Sequence, residues 1–538
     1  MKVSSSLAAV ALPAAAALLL ASCARAEQSQ PAAQSPNQAP PAQVNPHNDA
    51  PGIGWFGGEV AGAFAAAKSA RKPILLYWGA IWCPPCQQLK STVFSRRDFI
   101  AKSRLFVPVY LDGDDAGAQK WGEEFRVTGY PTVVVLDADR HELMRIAGGM
   151  DLGLYATVLD TALADLQPAE TLLDAAAGGH KLKASECRRL AFNSWELDGA
   201  ADAAAQAALA QRLDAAAAAC PAEARAERAR LRIFAASYAA RAEADALKEG
   251  QQPSKLLRAR VGAVDEVLAS QRTAVEVADA LRYLDESFFR AVKAGGASAA
   301  PWLARFAKAM DGAASHPDYA EADQLGAIGS KLKAVKVING AIPAGVARAA
   351  NARIGAALAG QQIPYVRSGI INAVLPIYDV LGQNEQAYKV VQGELAKTAT
   401  PYYYKEDLGE LAESLGRRDE SLRWFAEGYA EARGPATRFQ WGQIYATSLL
   451  RLQPDGADKI RTVAAQVLGE LDGPGRIYRR DRLRLERLDA ALRKWNTDTG
   501  GAHHDVIVSL RERMQQICGK IPQHEPAHAS CSAFLASA

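Results

Sequence analysis

Cysteine is scarce, with seven in 538 residues, and this excludes a small scaffold stapled by disulfides. An excess of charge of one sign is missing too. Lys and Arg number 62 against 59 Asp and Glu, a net +3. That is too balanced for a chain whose main partner is nucleic acid, where a clear basic excess is expected. After the N-terminal segment no run reaches the ~18 consecutive apolar residues of a spanning helix, which excludes a polytopic membrane protein. Strand-like patterns are absent from about residue 168 onward. Apolar residues are plentiful at 49%, with 22% charged, enough to bury a core and to exclude disorder throughout. At ~100–200 residues per domain, the length suggests three or four domain-sized units.

The first 23 residues read as an export signal. Lys2 is followed by an apolar run from Leu7 to Leu20, interrupted by Pro13, and the segment ends in Leu20-Ala21-Ser22-Cys23. That ending resembles the bacterial lipobox, which implies lipid on Cys23 and a membrane-anchored periplasmic protein. An ordinary secretory signal with a chance cysteine is the competing reading. Ala24 after the cysteine, by the same resemblance, favours the outer membrane. Residues 24–51 hold six prolines, five glutamines and three asparagines, with no large aliphatic beyond Val44. Such a segment cannot repay its ordering entropy by burial, so it reads as a disordered tether.

Residues 52–168 carry the chemistry. A helix over Glu59–Ala70 precedes the short apolar run Ile74–Trp78, suited to a buried strand. Trp82-Cys83-Pro84-Pro85-Cys86 follows, then a helical stretch from Gln87 to about Phe94. Leu105–Leu111 reads as a second strand, Ala116–Phe125 as a helix, Thr132–Leu136 and Glu142–Ile146 as strands joined by an Ala138-Asp139 turn. A last helix is expected over about 152–166. Strands alternating with helices, then a hairpin, give an α/β sheet.

Trp-Cys-x-x-Cys after the first strand, with Gly129-Tyr130-Pro131-Thr132 before the third, resembles the thioredoxin superfamily. The approach Lys72-Pro73…Trp78-Gly79-Ala80-Ile81-Trp82-Cys83 is most similar to periplasmic proteins related to the C-terminal domain of the disulfide interchange protein DsbD. The resemblance covers about a fifth of the chain. It implies a redox-active dithiol, with Cys83 at a helix N-terminus where the thiolate is favoured and Cys86 one turn on, placed to resolve a mixed disulfide. Pro84 and Pro85 remove two N–H donors, so Cys83 is expected to be less acidic than in a strong oxidase, which leans toward a reductant. Pro131 resembles the family's cis-proline. Tyr130 would offer backbone hydrogen bonds to an extended client, and Trp82 is the third expected client-binding residue. The family's buried acid six residues before the first cysteine is here Tyr77. Asp112, Asp114 and Asp115 read as a solvated loop.

From about Pro168 alanine dominates and helical periodicity runs almost unbroken, in about fifteen helices whose short connections imply antiparallel pairs. Expected segments include Ala200–Ala216, Ala222–Ala246, Thr273–Ala294 and Tyr478–Trp495. Leu381-Gly382 recurs 34 residues later as Leu415-Gly416, and Leu408, Gly409, Ala412, Ser421, Phe425 and Gly428 resemble tetratricopeptide positions around 365–434. An α-solenoid is the leading reading of this region and a helical bundle the plainer one. Tyr402, Tyr403, Tyr404, Trp424, Phe425, Tyr429, Phe439, Trp441 and Tyr445 read as core. Arg479, Arg480, Arg482, Arg484 and Arg487, interleaved with Asp481, Glu486 and Asp489, read as a solvated, salt-bridged face.

Setting aside Cys23, Cys83 and Cys86 leaves Cys187, Cys220, Cys518 and Cys531, an even number that three pairings could satisfy. Cys187–Cys220 and Cys518–Cys531 are the favoured disulfides. His524 and His528 lie between the last two cysteines, so a separate zinc site there is the alternative. The whole chain is expected to be a lipid-anchored thiol–disulfide oxidoreductase. It needs no metal or organic cofactor, and its partners are client proteins and a membrane electron donor. The alternatives are a helical interaction scaffold with a thioredoxin-like recognition module, and copper handling by the paired thiolates.

Overall fold

The computed structural model describes residues 52–147, 159–160, 163, 167–195, 202–360, 364–473 and 477–536. Cys23, the tether over 24–51 and most of the helix expected at 152–166 lie outside them.

The first part is an α/β module built as α1 (Val60–Ala70), β1 (Ile74–Gly79), α2 (Pro84–Leu89), α3 (Arg97–Ser103), β2 (Val107–Asp112), α4 (Ala116–Glu124), β3 (Thr132–Leu136) and β4 (Glu142–Ala147). The four strands form one sheet in the order β2-β1-β3-β4. β1 runs parallel to β2 and antiparallel to β3, and β3 and β4 form the hairpin. The apolar run in β1 is continuous because both faces of the sheet are covered. Ile74, Leu76 and Trp78 enter one core with Phe64, Val134 and Leu136. Leu75 and Tyr77 enter another with Phe94, Val133 and Val135. This alternation is the period-2 geometry of a strand buried on both sides. α3 is an addition to the expected elements: Phe99 and Ser103 are its buried residues and Ile100 packs partly against the same core, too narrow a stripe to stand out.

Everything described beyond β4 is helical. Several expected helices are broken. Ala222–Ala246 is Arg225–Ala242 followed by Ala244–Lys248, and Thr273–Ala294 falls into Gln271–Glu276, Ala278–Leu281 and Glu286–Ala294. Glu243 and Val277 leave helical geometry at two of the breaks. The third is set by Asp285, whose side chain accepts the Phe288 N–H and starts a new helix. The 34-residue repeat is visible in the backbone. Gly382 and Gly416 both take positive φ, 69° and 74°. Both turns carry the same pair of bonds, Gly382 N–H to Asp379 O with Gln383 N–H to Tyr378 O, and Gly416 N–H to Glu413 O with Arg417 N–H to Ala412 O. A left-handed residue closes each helix, which glycine adopts without cost.

The module is not closed on itself. The core beneath Val133, Met144 and Ile146 continues into Leu172, Leu173, Leu190 and Leu213 of the first helices. At β4, Arg145 donates its N–H to the Asn193 side chain and accepts the Ser194 N–H, both at 2.8 Å. That pairing covers the exposed edge of the sheet.

Candidate functional site

Cys83 is the N-cap of α2, just after β1. Pro84 and Pro85 fill the first two helical positions, where a missing N–H costs least. Cys86 therefore supplies the first free N–H of the helix, which points at Cys83 Sγ at 3.2 Å. Cys83 and Cys86 form a disulfide. The helix does not stop at Leu89 but continues through a π-turn over Lys90–Phe94. The Tyr130–Pro131 bond is cis. The Tyr130 hydroxyl donates to Gly113 O and accepts from Gln119 Nε2. A Cβ at Gly113 would lie 2.3 Å from the Tyr130 ring, so only glycine permits this approach. Tyr77, at the family's acid position, is fully buried among aromatic rings, 4.9 Å from Phe94 and 5.5 Å from Tyr110.

Residues 60–163 match a family model described as a thioredoxin-like domain. No curated protein matches the chain at a significant level. The thioredoxin-like domain thus spans the motif and the cis-proline, and it supports thiol–disulfide exchange as the class of chemistry.

The structure brings Trp82, Cys83, Cys86, Tyr130 and Pro131 to one end of this domain, and that end is covered. Cys83 is 2% exposed, Cys86 0% and Trp82 9%. The cover comes from helices far along the chain. The Trp82 indole N–H donates to Thr437 Oγ1 at 2.9 Å. Its rings stack on Tyr403 and meet Trp441 edge-on, with centroids 6.2 and 5.1 Å away. The Arg480 guanidinium lies 4.4 Å above the Tyr130 ring. Helix Pro364–Leu381 packs on α2 from the other side, with Gly369 against the Gln88 side chain.

Three expectations differ from the structure. The arginine-rich helix, Arg479–Asp498, is not a solvated face where it begins. Arg480 is 6% and Asp481 2% exposed, because this end of the helix is pressed against the domain, and Arg482 forms a two-pronged ion pair with Glu123 of α4. Nor are the three loop carboxylates alike. Asp115 is exposed, Asp112 is buried, and half-buried Asp114 accepts the Thr437 N–H at 3.0 Å. Tyr403 departs from the core reading as well: it is half-buried and faces Trp82.

Burial sets the electrostatics. It pushes the Asp481 carboxyl up to about 6, partly offset by Arg480 and Arg484. It lowers the Arg484 guanidinium to about 9, with Arg480 adding repulsion. Burial raises Asp114 against the opposing pull of Thr437 and Arg480. On helix Pro401–Ser414, burial takes Glu406 to about 7, aided by Glu410.

The other four cysteines lie apart from the motif. Cys187 is joined to Cys220, and Cys518 to Cys531. With both sulfurs of the tail in a disulfide, His524 and His528 have no thiolates to share a zinc ion with. Among the described residues no cluster of three His, Cys, Asp or Glu is arranged to hold a metal.

Proposed function

We propose that the chain is a membrane-anchored thiol–disulfide oxidoreductase that reduces or exchanges disulfides of protein clients. The observation that carries this is the Cys83–Cys86 disulfide at the start of α2, with the Cys86 N–H directed at Cys83 Sγ beside the Tyr130–Pro131 turn. In the reducing direction the Cys83 thiolate attacks a client disulfide. A Cys83–client bond forms, and one client sulfur leaves and takes a proton. The Cys86 thiol gives up its proton, attacks Cys83 Sγ, and expels the second client thiol. Two electrons pass to the client, and a dithiol donor must return them. With both prolines lacking N–H groups, one backbone donor remains for the Cys83 sulfur, which supports a moderately rather than strongly acidic thiol. Lipid on Cys23 would hold the chain at the periplasmic face of the outer membrane, a reading supported by Leu-Ala-Ser-Cys.

The test is trapping. Full-length Cys86→Ala cannot resolve mixed disulfides and should accumulate client adducts on Cys83, while Cys83→Ala should accumulate few. Equal yields from both variants would remove the reading. One observation favours the scaffold alternative: the near-complete burial of Cys83. If Cys86→Ala traps nothing while the helices still bind partners, the domain serves recognition alone.

A further inference from the structure

The thioredoxin-like domain meets the helices in two contacts of different character. Beneath β4 the contact is largely aliphatic, with Met144 and Ile146 sharing a core with Leu172, Leu173 and Leu190, and it is tied by the Arg145 backbone to the Asn193 side chain and the Ser194 N–H. Over the redox motif it is aromatic and polar. Trp82 is held by Thr437, Tyr403 and Trp441, Tyr130 by Arg480, Asp114 by the Thr437 N–H, and Glu123 by Arg482. Trp82, Cys83 and Cys86 also share an apolar cluster with Tyr402, Phe439 and Trp441, and a buried apolar centre held by aromatic and arginine anchors with a few directed hydrogen bonds is the composition of an association surface.

We propose that the inner face of helices Pro401–Ser414, Pro435–Leu452 and Arg479–Asp498 is a docking surface for the redox motif's own client-facing edge, and that a protein client reaches Cys83 only when this contact opens. The inference rests on reading Cys83–Cys86 as an exchanging pair. Trp82 and Tyr130 are the groups that would flank a client, and both are occupied by the same chain. A cleft of about 360 Å³ runs between α2 and helices Glu321–Asn339 and Pro364–Leu381, but its lining on the domain side is Pro85, Gln88, Leu89 and Pro131, not Cys83. It therefore gives a polypeptide no path to the sulfur.

The closing contact contains its own opposition. Asp481 is buried and Asp114 half-buried there, and charges taken out of water recover hydration when a contact parts. Gly434, at φ 81°, starts helix Pro435–Leu452 with no side chain because a Cβ would lie 2.5 Å from Asp114. The β4 contact also buries Arg145, but its guanidinium is paired within the domain, with the Glu142 carboxylate and the Phe125 carbonyl, so parting that contact would not release it; the β4 contact serves as the fixed attachment and the motif contact as the releasable one.

The experiment uses full-length Cys86→Ala, which leaves Cys83 as a free thiol, and follows alkylation of Cys83 by N-ethylmaleimide and by a polyethylene-glycol maleimide. Closure predicts that both reagents react far more slowly than in the same protein unfolded in urea, with the bulky one slower. Adding Arg482→Glu, which sets two carboxylates against each other at Glu123, should raise the bulky reagent's rate by about tenfold or more, as expected when opening limits access. The charge exchange Arg482→Glu with Glu123→Arg should restore the slow rate, which shows that the fold survives. Arg305→Ala, at the distant Asp265 pair, should change nothing. Rapid labelling by the bulky reagent with the Arg482 contact intact, or no response to Arg482→Glu, overturns the proposal. The two readings are separated by reducing the wild-type disulfide with dithiothreitol. If Cys83–Cys86 is reduced at the same rate with and without Arg482→Glu, closure fails and exchange stands. If it resists reduction in both until the protein unfolds, the exchanging pair itself fails.

Discussion

In β1 each residue announces its place: Ile74, Leu76 and Trp78 fill one core, Leu75 and Tyr77 the other. In helix Ala203–Ala219 the same residue type plays both parts, with Ala210 and Ala216 fully buried while Ala203 and Ala204 are exposed. Alanine favours the helix without choosing a face. The thioredoxin-like domain is therefore specified by residue pattern. The helical array is specified by where its large side chains, glycines and disulfides fall among the alanines.

The sharpest way to break that contrast is to remove a covalent link from the alanine-rich part. Cys187–Cys220 joins residues 33 apart, and a loop of that size is worth about 4 kcal/mol by chain entropy. Replacing both cysteines by alanine should lower the denaturation free energy of the first helices by about that amount. A change under about 1 kcal/mol would mean that alanine packing alone sustains them.

Next is the contact between the two regions. Asp481 binds its proton more tightly in the folded chain than in the unfolded one, where carboxyls titrate near 4. As pH falls from 7 toward 4, the folded state takes up this proton first, so this group's penalty, present above about 6, is relieved. Asp481→Asn should remove the effect: the variant's advantage over wild type should be larger at pH 8 than at pH 4 by about 2 kcal/mol. A constant difference would place Asp481 in water.

Smaller effects compare packing. Gly113→Ala in the domain would bring a Cβ to 2.3 Å from Tyr130, and Gly409→Ala in the array would bring one to 2.6 Å from Phe425. Each should cost about 1–3 kcal/mol in thermal or denaturant unfolding. A much cheaper Gly409→Ala would show that the array yields where the domain does not. At the bottom of the scale, Lys68→Ala breaks an exposed pair with Asp139 and should change stability by less than about 0.5 kcal/mol.

Much of the fold could be read before it was seen, for reasons these residues make plain. β1, β2 and β3 are short, mainly apolar runs between turn residues, β4 completes a hairpin after the Ala138-Asp139 turn, and the Cys83–Cys86 motif with Tyr130-Pro131 carries its chemistry in its spacing. The redox motif's surroundings could not be read. Thr437 and Arg480 meet Trp82 and Tyr130 across more than 300 residues of chain, and no local pattern records such a meeting. The same distance hid the burial of Arg480 and Asp481, which beside their charged neighbours look like any solvated helix start. Asp114 likewise looked like loop until Gly434 and Thr437 were placed against it. Tyr403 carried a partial signal, since it stands in an aromatic cluster, but which of those rings meets Trp82 is decided by packing across more than 300 residues of chain.

Of the three disulfides among the described residues, the proposed function needs Cys83–Cys86 to exchange and the other two to hold. The direct measurement equilibrates the native full-length protein in dithiothreitol buffers of graded potential, alkylates the free thiols and locates them by peptide mass. Cys83 and Cys86 should be labelled together at a defined potential, while Cys187–Cys220 and Cys518–Cys531 stay oxidised in the folded protein. Reduction of all three together, or of Cys83–Cys86 only after the other two, would contradict it.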